Sequence, residues 1–230
     1  SAAAVINPNR EDCHFPFKDL AGVGIAFNFL IALRAALRKE CFWKNGSYTN
    51  LKEYLDIVAL GTIGDIAPLI DENRIFARIG LEIITEGKRP GIKALKEVSG
   101  IDGQIIDSFK ASFCLIPRIN AAGRIASSLD AVQLLLTENM EEARSLAAKL
   151  DEYNRRRQSI EKNILNEILE RIGQTPDWEK LNALVFASDR WHPGVVGIVA
   201  SRLVDLFSRP AYVISLNNGI GKGSGRSISE

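Results

Sequence analysis

The chain has 230 residues, enough for one large domain or two small ones. Apolar residues make up 46% and charged residues 25%, ordinary globular values that exclude wholesale disorder. With 29 basic against 28 acidic residues there is no overall nucleic-acid charge signature, so any basic surface has to be local.

Cys13, Cys41 and Cys114 are widely spaced and form no CxxC pair, which points to a reducing compartment rather than a disulfide or zinc framework. No apolar run reaches transmembrane length, and the first residues lack a basic region followed by an apolar segment, so a soluble, cytoplasmic protein with no membrane partner is expected. The abrupt start at Ser1 and the stop inside a glycine-rich stretch read as the ends of a fragment.

In chain order, Val5 and Ile6 read as a short strand closed by the turn pair Asn7-Pro8. Asp19 is placed to cap a helix from about Leu20 to Lys39, with Val23, Phe27, Leu30, Ile31 and Leu37 in helical spacing. Gly22 and Gly24 near its start suit close packing, since no nucleotide-loop pattern follows. Asn45-Gly46 marks a loop, and a helix from about Leu51 leads into Leu55–Leu69. There an apolar run climbs to Leu60, and Gly61 and Gly64 lead up to Asp65 before Pro68 closes the segment. A carboxylate at the mouth of a buried element is a candidate hard-cation ligand. Alternatively, Asp65 is a helix N-cap or turn residue.

Asn73–Ile84 is expected to be a helix with Ile75, Ile79, Leu81 and Ile83 as its apolar positions. Short helices at Ile92–Val98 and Gln104–Phe113 follow the break at Arg89-Pro90-Gly91. Residues 116–128 read as a loop rich in small residues, with Arg118 and Arg124 on either side of Asn120. Guanidiniums in such a loop offer bidentate donors to phosphate; a tight helix crossing held by arginine salt bridges fits the same composition.

Leu129–Leu136 is a compact apolar helix. Met140–Ile172 is one long periodic segment, polar in the middle around Arg155, Arg156 and Arg157. That pattern suits a strut between two bodies or an ordinary solvated face. Gly173 and Thr175-Pro176 end it. A strand at Ala183–Ala187, a loop at Ser188–Gly194, a helix at Val195–Phe207 and a strand at Ala211–Leu216 form the pattern of a βαβ unit. Gly219–Ser227 packs glycines with Lys222, Ser224 and Arg226, a segment able to present N–H groups, hydroxyls and cations to an anion, or else a flexible linker.

Six stretches in this order resemble the motifs of the DHH phosphoesterases, and within them the single-strand-specific exonucleases: Ala4–Pro8, Phe15–Gly24, Leu60–Asp65, Pro117–Arg124, Trp191–Leu203 and Gly221–Ser227. The resemblance spans nearly the whole chain. It implies an α/β fold with the distal part of a DHH catalytic domain at 1–137, a long connecting helix at 138–173 and the beginning of a DHH-associated substrate-binding domain at 174–230. It implies metal-dependent 5′-to-3′ hydrolysis of single-stranded DNA in recombination and repair, with Mn²⁺ or Mg²⁺ in a two-metal site and room for protein partners in those processes.

The same resemblance makes Asp65 the metal ligand and catalytic residue, and puts contacts to substrate phosphate at Arg118, Asn120, Arg124, His192, Ser224, Gly225 and Arg226. Trp191 is a base-stacking candidate by position. The sequence holds no Asp-His-His, and its two histidines, His14 and His192, stand alone. One aspartate does not assemble a two-metal site, so these 230 residues by themselves are expected to be inactive. The alternatives are another DHH phosphoesterase acting on short oligonucleotides or cyclic dinucleotides, and a non-catalytic scaffold that binds single-stranded nucleic acid.

Overall fold

A computed structural model describes residues 4–43 and 48–228; the loop expected at Asn45-Gly46 lies outside them. The fold is α/β, and it divides into two compact units: residues 1–117 with 132–148, and residues 118–131 with 149–230. The division falls inside the long helix rather than at its ends.

The first unit is helical. Helices α1 (Gly22–Lys39), α2 (Leu55–Gly64), α3 (Asp71–Glu86) and α4 (Pro90–Val98) follow one another. A helix that is apolar all round has to be surrounded by protein. α2 comes close to this: Leu55, Val58, Ala59, Leu60 and Ile63 are all buried, and so are its two polar residues, Asp56 and Thr62. α3 crosses it at Gly80, where an added Cβ would stand 2.1 Å from the Leu55 carbonyl oxygen, so only a residue without a side chain permits the crossing. Phe27, Leu51, Leu55, Val58 and Phe76 form a local core, with Phe27 edge-to-face on Phe76 at 5.3 Å.

Several expectations are corrected here. Val5 and Ile6 are exposed and not in a strand. α1 starts at Gly22 with Ala21 in the cap position, and Asp19 does not cap it; the Asp19 carbonyl accepts instead from the side chain of Asn73. Leu30 and Ile31 lie on the exposed side of α1, because Phe27 and Gly24 take the buried one. In α3 the buried stripe is Asn73, Phe76, Ala77, Gly80 and Ile84, leaving Ile75 56% exposed. The stripe that buries is the one containing Gly80, since close approach of α2 is possible only there.

The helix expected from Gln104 starts at Ser108, capped by the Asp107 side chain, which accepts from Lys110 N at 2.7 Å. This short α5 (Ser108–Lys110) continues through a π-helical turn, Ala111–Leu115, into α6 (Ile116–Ile125). The loop expected at 116–128 is therefore helical up to Ile125. Pro117, which has no N–H to donate, is the second residue of α6, just past the π turn where the hydrogen-bond ladder changes register. Ala121 and Ala122 are buried, so the small residues serve packing. α7 (Leu129–Leu136) and the 34-residue α8 (Met140–Gly173) match expectation. No described helix is long and apolar enough to cross a membrane.

The second unit holds the sheet. β1 (Leu184–Ser188) pairs in parallel with β2 (Ala211–Asn217), and α9 (Val196–Phe207) connects them, as the βαβ pattern predicts. The glycine-rich segment is neither loop nor linker: it is β3 (Ile220–Arg226), antiparallel to β2, giving the order β1-β2-β3. Asn218 and Gly219 turn the hairpin with φ of 48° and 80°, the sign a tight hairpin requires. Successive residues of a strand point to opposite faces. Gly221, Gly223 and Gly225 lie under the side chains of Leu216, Ile214 and Tyr212; a Cβ on Gly225 would stand 2.6 Å from the Tyr212 ring. Lys222, Ser224 and Arg226 take the other face, with buried Ser215, Val213 and Ala211. The core of the unit joins Ile164, Ile168 and Ile172 of α8 to Leu184, Val199, Leu203 and Val213.

Candidate functional site

In the helical unit, Asp65 is the C-cap of α2, with φ −87° and ψ 0°; its backbone N–H donates to Gly61 O at 2.9 Å. This is the opposite end of a helix from the N-cap alternative. Its side chain is exposed. The chain then turns through Ile66, a β-branched residue in the left-handed region at φ 57° and 89% exposed. Ile66 N donates to Ile63 O at 3.1 Å and Ala67 N to Thr62 O at 3.2 Å, closing the turn. The last carbonyls of a helix carry partial negative charge, so a carboxylate added there deepens a negative potential that suits a cation. Asp65 thus fits the part of one oxygen ligand. Among the described residues no group of three or more His, Cys, Asp or Glu is gathered to hold a metal ion.

In the sheet unit, Ser224 and Arg226 of β3 stand beside the first turn of α9. A Cβ on Gly197 would lie 3.2 Å from Ser224 Oγ and 3.9 Å from Arg226 Nη2, so a bare backbone meets both. Arg226 Nε donates to Ser201 Oγ at 3.2 Å and Nη1 to Gly225 O at 3.0 Å, which fixes the guanidinium. The first N–H groups of a helix have no partner within it and carry partial positive charge. Hydroxyl, guanidinium and helix amides are the donor types that phosphate-binding sites use. At Gly225 the Tyr212 ring leaves no room for a Cβ, which would stand 2.6 Å from it.

The loop entering α9 adds His192 and Arg124. His192 Nδ1 accepts from Gly194 N at 3.1 Å, which makes Nε2 the protonated nitrogen of the neutral ring. Gly194 packs on the Arg124 backbone, where a Cβ would come within 2.2 Å of the Arg124 oxygen, and Arg124 Nη1 reaches Gly194 O at 3.4 Å. Arg124, His192, Ser224 and Arg226 therefore cluster along residues 192–197. Arg118 is placed differently: its Nε donates to the buried Asp151 of α8 at 2.9 Å, the salt-bridged helix crossing of the second account. Asn120 is exposed on α6.

Trp191 is corrected outright as a stacking residue, since it is 3% exposed and part of the core. Its Nε1 donates to Glu167 Oε2 at 3.0 Å, and Glu167 Oε1 meets Arg171 and Arg190. The Trp191 N–H, followed by the charges of Arg190 and Arg171, holds the Glu167 carboxyl below the usual carboxylate range against the opposing effect of burial. Glu167 was not singled out from the sequence; its signal was an acid four residues before Arg171 on a helix. Also missed was the pair of Arg89 with the buried Asp56 at 2.7 Å in the helical unit.

No protein-family model matches the sequence. Over 99% of its length the chain is 46% identical to the single-stranded-DNA-specific exonuclease RecJ of Salmonella typhimurium, and it covers 40% of that protein. The resemblance is to RecJ. The RecJ of Bacillus subtilis is 42% identical over 98% of the chain, which covers 27% of it. Among solved structures, a manganese-bound RecJ superposes with a TM-score of 0.76 at 34% identity, over 94% of this chain and 51% of that one. RecJ of Thermus thermophilus with Mg²⁺ gives 0.78 at 33% identity, over 96% of this chain and 32% of that one. The chain thus spans about two fifths of the length of the Salmonella RecJ.

Proposed function

We propose that the chain is part of a metal-dependent 5′-to-3′ exonuclease of single-stranded DNA, a DHH phosphoesterase working in the cytoplasm in recombination and repair, with partner proteins of those processes. The observation that carries this reading is the meeting of Ser224, Arg226 and the first turn of α9, supported by likeness to RecJ over 99% of the chain. A nuclease indifferent to sequence grips the backbone rather than the bases, and these donors are of the backbone-gripping type.

In this reading Arg226 and Ser224 take the terminal phosphate of the strand, with the α9 amides behind them, while Arg124 and His192 Nε2–H approach the next phosphate. Asp65 holds a divalent ion by one oxygen, and the other ligands come from the rest of the longer protein. A bound pair of such ions supplies an activated water and offsets charge on the leaving oxygen.

The test is binding of a short single strand with and without a 5′-phosphate, measured on the 230-residue chain by fluorescence anisotropy. The phosphorylated strand is expected to bind about tenfold tighter, the worth of one charge-assisted contact, and Arg226→Ala to erase that preference. Equal affinity for both strands would remove the phosphate reading. With Mn²⁺ present the chain alone is expected to release no nucleotides; steady digestion would show that the active centre lies elsewhere.

A further inference from the structure

We propose that Asn73 is the positioning residue for Asp65, an inference that rests on the reading of Asp65 as a metal ligand. Asn73 is fully buried at the third position of α3, where an asparagine has no helical reason to be. Its Nδ2 donates twice, to Pro68 O at 3.0 Å and to Asp19 O at 2.8 Å. Those two carbonyls belong to the turn after Asp65 and to the segment before α1. One amide group therefore ties the far end of the Asp65 turn to a second stretch of chain and to the start of α3.

The turn needs such a tie. Ile66 holds a left-handed backbone, which costs about 1–2 kcal/mol for a residue with a Cβ and persists only where the surroundings enforce it. Its side chain is 89% exposed, so packing of Ile66 itself does not enforce it. Between Asp65 and the tie there are two backbone hydrogen bonds, Ile66 N to Ile63 O and Ala67 N to Thr62 O, and then Pro68. With Pro68 fixed by Asn73, the turn has one way to close, and Asp65 sits at its near end. A metal ligand has to be held to within a fraction of an ångström to contribute to affinity.

The experiment compares Asn73→Asp and Asn73→Ala with Asp65→Ala. Asn73→Asp keeps volume and shape but loses both donors. In the 230-residue chain, hydrogen exchange at the amides of 65–67 is expected to quicken about tenfold in both Asn73 variants, while the amides in the middle of α3 change far less. In the longer enzyme, the Mn²⁺ concentration for half-maximal rate is expected to rise by about tenfold, with kcat at saturating metal within about twofold of wild type. A uniform rise in exchange across α2 and α3 with unchanged metal dependence would show a structural role only and overturn the proposal. If Asp65→Ala itself left metal dependence intact, the ligand reading would fall; if it abolished activity while both Asn73 variants matched wild type, the positioning claim alone would fall.

Discussion

Two helix ends carry the candidate chemistry, and they differ in sign. α2 finishes at its negative pole, and Asp65 adds a carboxylate there. α9 begins at its positive pole, and Ser224 and Arg226 add a hydroxyl and a cation. The same alignment of peptide dipoles thus prepares one place for a cation and another for an anion. The two are also held by different means. Asp65 sits on a strained turn of an all-helical unit whose interior includes the Asp56–Arg89 ion pair. Ser224 and Arg226 are set by strand register over an apolar core. A strained turn admits adjustment, whereas register is all or none.

The largest effect that sharpens this contrast is expected from Arg89→Met. It leaves Asp56 buried without its partner, which typically costs about 3–5 kcal/mol. Urea unfolding followed by hydrogen exchange should show that loss in α2 and α3, with the sheet unit keeping its protection; a loss under about 1 kcal/mol would mean that the pair contributes little.

A smaller effect, in the sheet unit, is expected from Glu167→Gln. Glu167 is held below the usual carboxylate range, so its stabilisation is full above the unfolded value of about 4.3 and fades as pH falls through the folded value. The variant should be about 1 kcal/mol less stable at pH 7, and the gap should narrow as pH drops below about 4. A gap independent of pH in thermal melts would contradict the assignment.

The smallest is a gain. Ile66→Gly removes left-handed strain at an exposed position and loses backbone entropy, for a net stabilisation of about 0.5–1 kcal/mol. A lower melting temperature would show that the Ile66 side chain has a packing role in solution.

Much of this was legible in the sequence where the signal is local. The unbroken period of α8 and the strand–helix–strand run of the sheet unit each rest on neighbours a few residues away. Ser224 and Arg226 were also picked out from the sequence as anion-binding candidates, although the shape of their segment was not legible. Glycine at every second position argues against a strand by propensity, and only the close lie of Tyr212 and Ile214 on β3 explains why the strand needs it. The small residues made 116–128 look like a loop because a π turn, which lets the helix pass a proline, leaves no pattern to read. Arg118 had two accounts, and its partner Asp151 lies 33 residues away. Asn73 gave no signal at all, since one of the two carbonyls that its side chain ties together lies 54 residues earlier.

The alternation along β3 has one further consequence, which concerns parity. Its chemistry occupies even-numbered positions only, so inserting one residue at the Asn218-Gly219 bend would swing the serine and the guanidinium to the Tyr212 side and present bare glycines to α9. Inserting two would restore the face. This stretch therefore tolerates changes of length in pairs, a constraint that no single substitution would reveal.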